Sequence, residues 1–440
     1  MCDPKDMGSR SHDVNLTGAV PIVLIVDTVR VPTPTERLLS RFARVTMPGR
    51  RFIPQLDGMR FVAIGAVVIV HAVSTVYKLS GGPARFPQPP VRDVVWRLGQ
   101  EGVWGVSLFF VISGFILALP FAEARLGRPG SKPVELGAYY LRRVTRLEPP
   151  YLIALTLALV GAVAMGGGSL GELVSHYAAG TGYLHGPFFG TLNPAFLVAW
   201  SLEVEVQFYL LVPVLVWVFA IHDPRLRRCV IVAVAVCAVV AQVVVDPLPG
   251  WAAYSLLAHI QYFLVGFLLA DVYLVDWRGA LPQRRTAWDL VACAAALVFM
   301  WLAYRRPGEA FHLGSIDIGV GTLQQLVFPA LAFALFLGAF GGARFSLWLK
   351  NRWIFTIGGM CYSIYLTHTL VIDIARKLTL YAVFGHNLGL VLIVQVFLVG
   401  PIVLGVGAVF FVLIERPCMD PRWPWKLASR LGARGGAGAS

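Results

Sequence analysis

The chain has 440 residues, of which 57% are apolar and 14% charged, and its formal net charge is +13. A mean hydropathy of +0.70 excludes a set of ordinary soluble domains, because folding alone cannot withdraw that much apolar surface from water. A bilayer removes the difficulty, since about 20 apolar residues per helix match a hydrocarbon core about 30 Å thick.

The positive charge would suit nucleic acid, but Lys and Arg stand at the ends of apolar runs, where they set membrane orientation. No nucleic acid partner is expected. Cys2, Cys229, Cys237, Cys293, Cys361 and Cys418 are scattered, without CxxC spacing or histidine neighbours. They imply neither a disulfide frame nor a metal site.

In chain order, residues 1–52 read as a basic cytoplasmic segment. The apolar run Ala19 to Val26 is too short to span and is broken by Asp27, so it reads as a surface element rather than a signal peptide. Arg30, Arg37, Arg41, Arg44, Arg50 and Arg51 can lie against anionic lipid headgroups. Ten apolar runs follow, at roughly 57–77, 100–121, 147–166, 196–220, 229–245, 254–273, 287–304, 318–340, 354–376 and 387–414. The expected fold is therefore all-α, a polytopic transmembrane bundle over 53–417 with a cytoplasmic tail at 418–440. An even number of spans puts both termini on one side. With that side inside the cell, inner segments hold 28 of the 37 Lys and Arg and outer segments 8, which favours cytoplasmic termini. Arginine outnumbers lysine 31 to 6, which points to a GC-rich bacterial genome and so to a bacterial plasma (inner) membrane.

Ionisable groups at membrane depth cost several kcal/mol, so each is a functional candidate. Arg60 and His71 lie in the first run. Eleven helical steps turn about 1,100° and rise about 16 Å, which leaves the two residues on one face. Asp57 lies near that face and can cap the helix or pair with Arg60. The second run carries small residues from Gly105 to Phe115, and close helix packing explains them. Arg142, Arg143 and Arg146 precede the third run, either as cytoplasmic anchors or as a phosphate site. In the fourth run Ser201, Glu205 and Tyr209 share a face at the outer end, whereas Glu203 and Glu205 point about 200° apart. The ninth run carries Tyr365 and His368 at i, i+3, and the tenth ends at Glu415.

In their order and identity these segments resemble the acyltransferase-3 family of membrane O-acyltransferases, from about Arg51 to Pro417. The motifs that carry the resemblance are Leu56-Asp57-Gly58-x-Arg60 with His71, Gly105 to Phe115, Arg143-x-x-Arg146, Trp200 to Tyr209, Tyr362 to His368, and Glu415-Arg416-Pro417. Departures are Val206, Glu203, Cys361, Glu148 and Thr367, none of which removes a proposed catalytic group. No C-terminal esterase-type domain is expected, because the chain stops soon after the last run.

The resemblance implies transfer of an acyl group, acetyl in the first instance, from acyl-CoA as co-substrate to a hydroxyl of a surface glycan, glycolipid or secreted metabolite. No bound cofactor or metal is implied. Arg60, Arg143 and Arg146 would hold the donor's phosphates and His71 would act as general base or as an acyl carrier. Glu205, on the outer side, would orient the acceptor or relay a proton. Asp57, Ser201, Tyr209, Tyr365, His368 and Glu415 would support the pocket. A proton-coupled transporter or flippase using His71, Glu205 and His368 is the alternative.

Overall fold

The computed structural model describes residues 39, 41–42, 52–79, 101–305, 310–313, 316–379, 395–420 and 423. The Ala19 to Val26 run, most of the arginine-rich segment after it and most of the tail lie outside these residues. The described chain is a helical bundle, and each of the ten apolar runs contains a helix. Its helices include, in order, α1 (Pro54–Leu79), α2 (Trp104–Arg125), α3 (Leu136–Ala164), α4 (Leu170–Thr181), α5 (His185–Phe189), α6 (Ala199–Leu215), α7 (Pro224–Val244), α8 (Ile260–Val275), α9 (Thr286–Tyr304), α10 (Val320–Gly341), α11 (Arg352–Gly359), α12 (Cys361–Thr379) and α13 (Gly400–Phe410). Among the described residues, eight helices are long and apolar enough to cross a bilayer, or nine if the bent pair α11–α12 counts as one, while α8 is apolar but shorter. Outward side chains such as Val240, Leu297, Phe397 and Leu413 are exposed, as lipid contact requires.

Three features differ from the sequence expectation. First, α3 begins at Leu136 and runs through Pro149 and Pro150, so Arg142, Arg143 and Arg146 lie inside the helix rather than before it. The arginines and the proline pair had shortened the apparent apolar run. At 29 residues the helix is about 44 Å long, well beyond the hydrocarbon thickness.

Second, the ninth run is broken, because α11 and α12 meet at 72° around Met360. Gly358 in α11 lies against the Asp57 carbonyl of α1, where a Cβ would collide with the backbone. Backbone contact of that kind is open only to glycine, so α11 crosses α1 closely and the chain then turns into α12. Third, a two-stranded antiparallel hairpin, β1 (Ala310–Leu313) and β2 (Ile316–Gly319), joins α9 to α10.

The core centres on α2, which packs on α1 and α8. Gly114 of α2 meets the Phe263 backbone of α8, and Gly266 of α8 meets the backbone of Val111 and Phe115. This bears out close packing as the role of the small residues in the Gly105 to Phe115 motif. Beside that crossing, the Phe263 ring stacks on Phe208 at 3.9 Å and on Phe110 at 4.7 Å.

One buried ion cluster ties α7 to α8. Asp271 binds Arg227 at 2.5 Å and Arg228 at 2.6 Å, and Arg227 and Asp271 are both fully buried. Removing one partner strands the opposite charge. Asp271→Ala is therefore expected to cost about 3–5 kcal/mol, to be measured as a lower thermal unfolding midpoint of the detergent-solubilised protein.

Candidate active site

α1, α2, α3, α6, α12 and the segment after α13 surround a cavity of about 210 Å³. Arg60 enters it from α1, and Arg142, Arg143 and Arg146 enter from α3. The arginines held apart in sequence thus share one space. Each has local support. Arg60 is ion-paired with Asp57 one turn earlier. The Arg143 guanidinium lies over the Tyr139 ring at 4.7 Å and the Tyr209 ring at 5.9 Å, a cation–π arrangement that suits a delocalised planar cation. Arg146 Nη2 is 3.8 Å from Glu415 Oε1.

Glu415 is fully buried in a π-helical turn, Phe411–Glu415. Its Oε2 accepts from the Ser363 backbone N–H at 3.1 Å and from Ser363 Oγ at 2.6 Å. The widened turn aims the carboxylate across to α12, and π turns of this kind gather at functional sites.

On α6, Ser201, Glu205 and Tyr209 all line the cavity, as their shared face requires. Glu203 does not line it. Its Oε2 accepts from the Gly186 backbone N–H at 2.8 Å instead, which pins α5 to α6. Glu205, expected at an outer position apart from the arginines, faces the same cavity as they do and accepts from Ser113 Oγ at 2.5 Å. The reason is that Arg142, Arg143 and Arg146 ride well inside α3, alongside α6, so the two motifs meet at one level.

Tyr209, Glu205 and Ser201 occupy successive turns, which gives the cavity a path of about 12 Å along α6. At its far end Ser201 Oγ is 2.6 Å from the Tyr365 hydroxyl, which also donates to the Val198 carbonyl at 3.1 Å. Behind Tyr365 lie two histidines. The His368 ring is 5.6 Å from that of Tyr365, and His368 Nε2 is 3.2 Å from His71 Nδ1. Neither histidine lines the cavity, and neither does Asp57. The structure therefore joins Arg60, Arg143, Arg146, Ser201, Glu205, Tyr209, Tyr365 and Glu415 around one space. His71 and His368 form a pair one side chain beyond it.

Ser113 was not singled out from sequence, although it is a polar residue within the Gly105 to Phe115 motif. A second group had no sequence signal. His176 Nδ1 lies 2.8 Å from His185 Nε2, between α4 and α5, with Phe189 against both rings. Burial, then the neighbouring His176, lowers the His185 pKa from its ordinary 6.5. The folded state therefore disfavours the imidazolium, and the unfolded state binds more protons as pH falls below about 6.5. Stability is expected to be unaffected by this group above that pH and to fall below it. Unfolding midpoints measured between pH 7.5 and 5 check this, with a shallower slope expected for His185→Asn. Among the described residues, no group of three or more His, Cys, Asp or Glu side chains is placed to hold a metal ion.

Comparison with known proteins supplies the class. The acyltransferase-3 family profile, an acyltransferase domain, matches residues 53–414, and the chain belongs to that family. The BcsY protein of Komagataeibacter xylinus, a membrane-bound transacylase by name, is 27% identical over 387 residues, covering 83% of this chain and 82% of its own length. The O-acetyltransferase OatA of Staphylococcus aureus is 23% identical over 341 residues, covering 73% of this chain and 51% of its own length. The peptidoglycan O-acetyltransferase OatA of Listeria monocytogenes is 23% identical over 209 residues, 45% of this chain and 30% of that protein. The chain thus spans about half or less of the OatA proteins it matches. No solved structure matches it significantly. The protein is a multi-pass membrane acyltransferase, and membership of the family decides for an enzyme over a transporter.

Proposed function

We propose that the protein moves an acetyl group from cytoplasmic acyl-CoA to a hydroxyl of a cell-envelope glycan in a bacterial plasma membrane, with His71 as general base. The observation that carries this reading is the cavity itself. Four arginines line it, and so does Tyr365, which stands next to His368 and, through it, His71. Guanidinium forks suit the phosphates of a nucleotide donor. A thin pantetheine arm would follow the turns of α6 past Ser201 towards the histidines, which requires Tyr365 to move aside.

At the histidine end the acceptor oxygen attacks the thioester carbon while its proton passes to His71 Nε2. The C–S bond then breaks, and the same proton is delivered to the departing thiolate, so that no charge is left in the apolar core. Glu205 acts from the arginine end. Held by Ser113, it offsets part of the cationic charge before the donor arrives and orients Tyr209 beneath Arg143. The names of the OatA relatives support a glycan acceptor and an acetyl group.

Release of CoA from acetyl-CoA by the protein in proteoliposomes, with solubilised peptidoglycan fragments as acceptor, tests the reaction. His71→Ala is expected to abolish transfer while leaving the protein inserted and monodisperse; substantial transfer in that variant would remove His71 from the mechanism. Charge-assisted hydrogen bonds contribute about 1.5–3 kcal/mol, which is about tenfold or more in affinity. Arg143→Ala and Arg146→Ala are therefore each expected to weaken acetyl-CoA binding at least about tenfold, as measured by titration calorimetry. Unchanged affinity would reduce both residues to topology anchors.

A further inference from the structure

The imidazole pair behind Tyr365 has a definite arrangement of protons. His368 is fully buried, and its Nδ1 lies 2.7 Å from the Tyr365 carbonyl oxygen and 3.2 Å from that of Ile364. A carbonyl oxygen only accepts, so in the neutral ring the proton sits on Nδ1 and the lone pair on Nε2. That Nε2 faces His71 Nδ1 at 3.2 Å, and the same His71 nitrogen is 2.9 Å from the Val67 carbonyl oxygen. Both of these neighbours of His71 Nδ1 are acceptors. The nitrogen therefore carries the proton, and the basic lone pair of His71 lies on Nε2. The two rings meet edge to face, with centroids 4.9 Å apart.

We infer that His368 is the positioning residue for His71: it accepts from His71 Nδ1–H, holds the tautomer whose Nε2 is basic, and sets the ring against the bundle. The inference rests on the reading of His71 as base. Val67 also accepts that proton, but it belongs to α1 and travels with His71. His368 comes from α12, so it alone of the two relates the ring to the rest of the protein. When His71 takes up a proton, the bond to His368 becomes charge-assisted and strengthens. A group that orients the base and stabilises its cation is the third member of a nucleophile–base–orienter set. Here a neutral imidazole takes the place usually held by a carboxylate, and the physical reason is the surroundings: a carboxylate buried in the apolar bundle would need a compensating charge of its own.

Full-length protein in proteoliposomes, given acetyl-CoA and solubilised peptidoglycan fragments, provides the test. His368→Leu removes the acceptor, whereas His368→Gln can place an amide oxygen near the position of Nε2. Loss of an orienting partner lowers activity about 10–100-fold. The expected result is a kcat for His368→Leu lower by that factor, with KM for acetyl-CoA within about threefold, and recovery of most of the loss in His368→Gln. Should the leucine variant not remain monodisperse, His368→Asn, polar but shorter, replaces it with the same expectations.

The inference is overturned if the leucine variant keeps more than half of wild-type kcat, or if leucine and glutamine variants are equally impaired. If His71→Ala itself turns over at the wild-type rate, the base reading has failed and this inference falls with it. If His71→Ala is inactive while His368→Leu is not, only the role of His368 falls.

Discussion

Four guanidinium groups gathered inside an apolar bundle are the constraint around which the rest of this protein is arranged. A cation away from water must be met by a carboxylate, a ring face or a hydrogen-bond acceptor, or the fold loses several kcal/mol for each one left bare. Three of the four have such partners: Asp57 meets Arg60, Tyr139 and Tyr209 meet Arg143, and Glu415 meets Arg146. Glu205 adds a further negative charge to the same space, and Ser113 and Ser363 hold Glu205 and Glu415 in turn. Motifs that lie up to several hundred residues apart in the chain thus form one compensated cluster.

Such a cluster is stable and is also suited to an anion. The compensating groups are not all of one kind: rings offer only partial neutralisation, and the Arg146–Glu415 contact is long at 3.8 Å. A phosphate can therefore compete for the guanidinium donors without first breaking a tight buried pair at every position. The crossings of α2 with α8 and of α1 with α11 are held by backbone contact at Gly114, Gly266 and Gly358. Rigid close packing there leaves the open volume where the chain has placed its polar side chains.

The histidine pair follows a different rule. It lies beyond the cavity, with two ring nitrogens directed at carbonyl oxygens of their own helices. The charged end and the neutral end of the site are thus separated along α6 by about two helical turns, and Tyr365 stands between them.

Much of this was legible without coordinates. Composition determined the membrane setting, helical periodicity put Ser201 with Glu205 and Tyr209, and the 200° step between Glu203 and Glu205 separated their roles, whereas Arg60 lines the cavity and His71, expected on the same face, stands beyond it. Those are properties of one helix at a time, and a single helix has a known geometry. The level at which helices meet is a property of pairs. Only the tertiary structure decided that α3 carries its arginines far enough inward to face Glu205, that Gly358 meets α1 and the ninth run bends just beyond it, and that His368 is the residue standing against His71. Those outcomes depend on backbone approach and relative shift between helices, which leave no periodic trace in the chain.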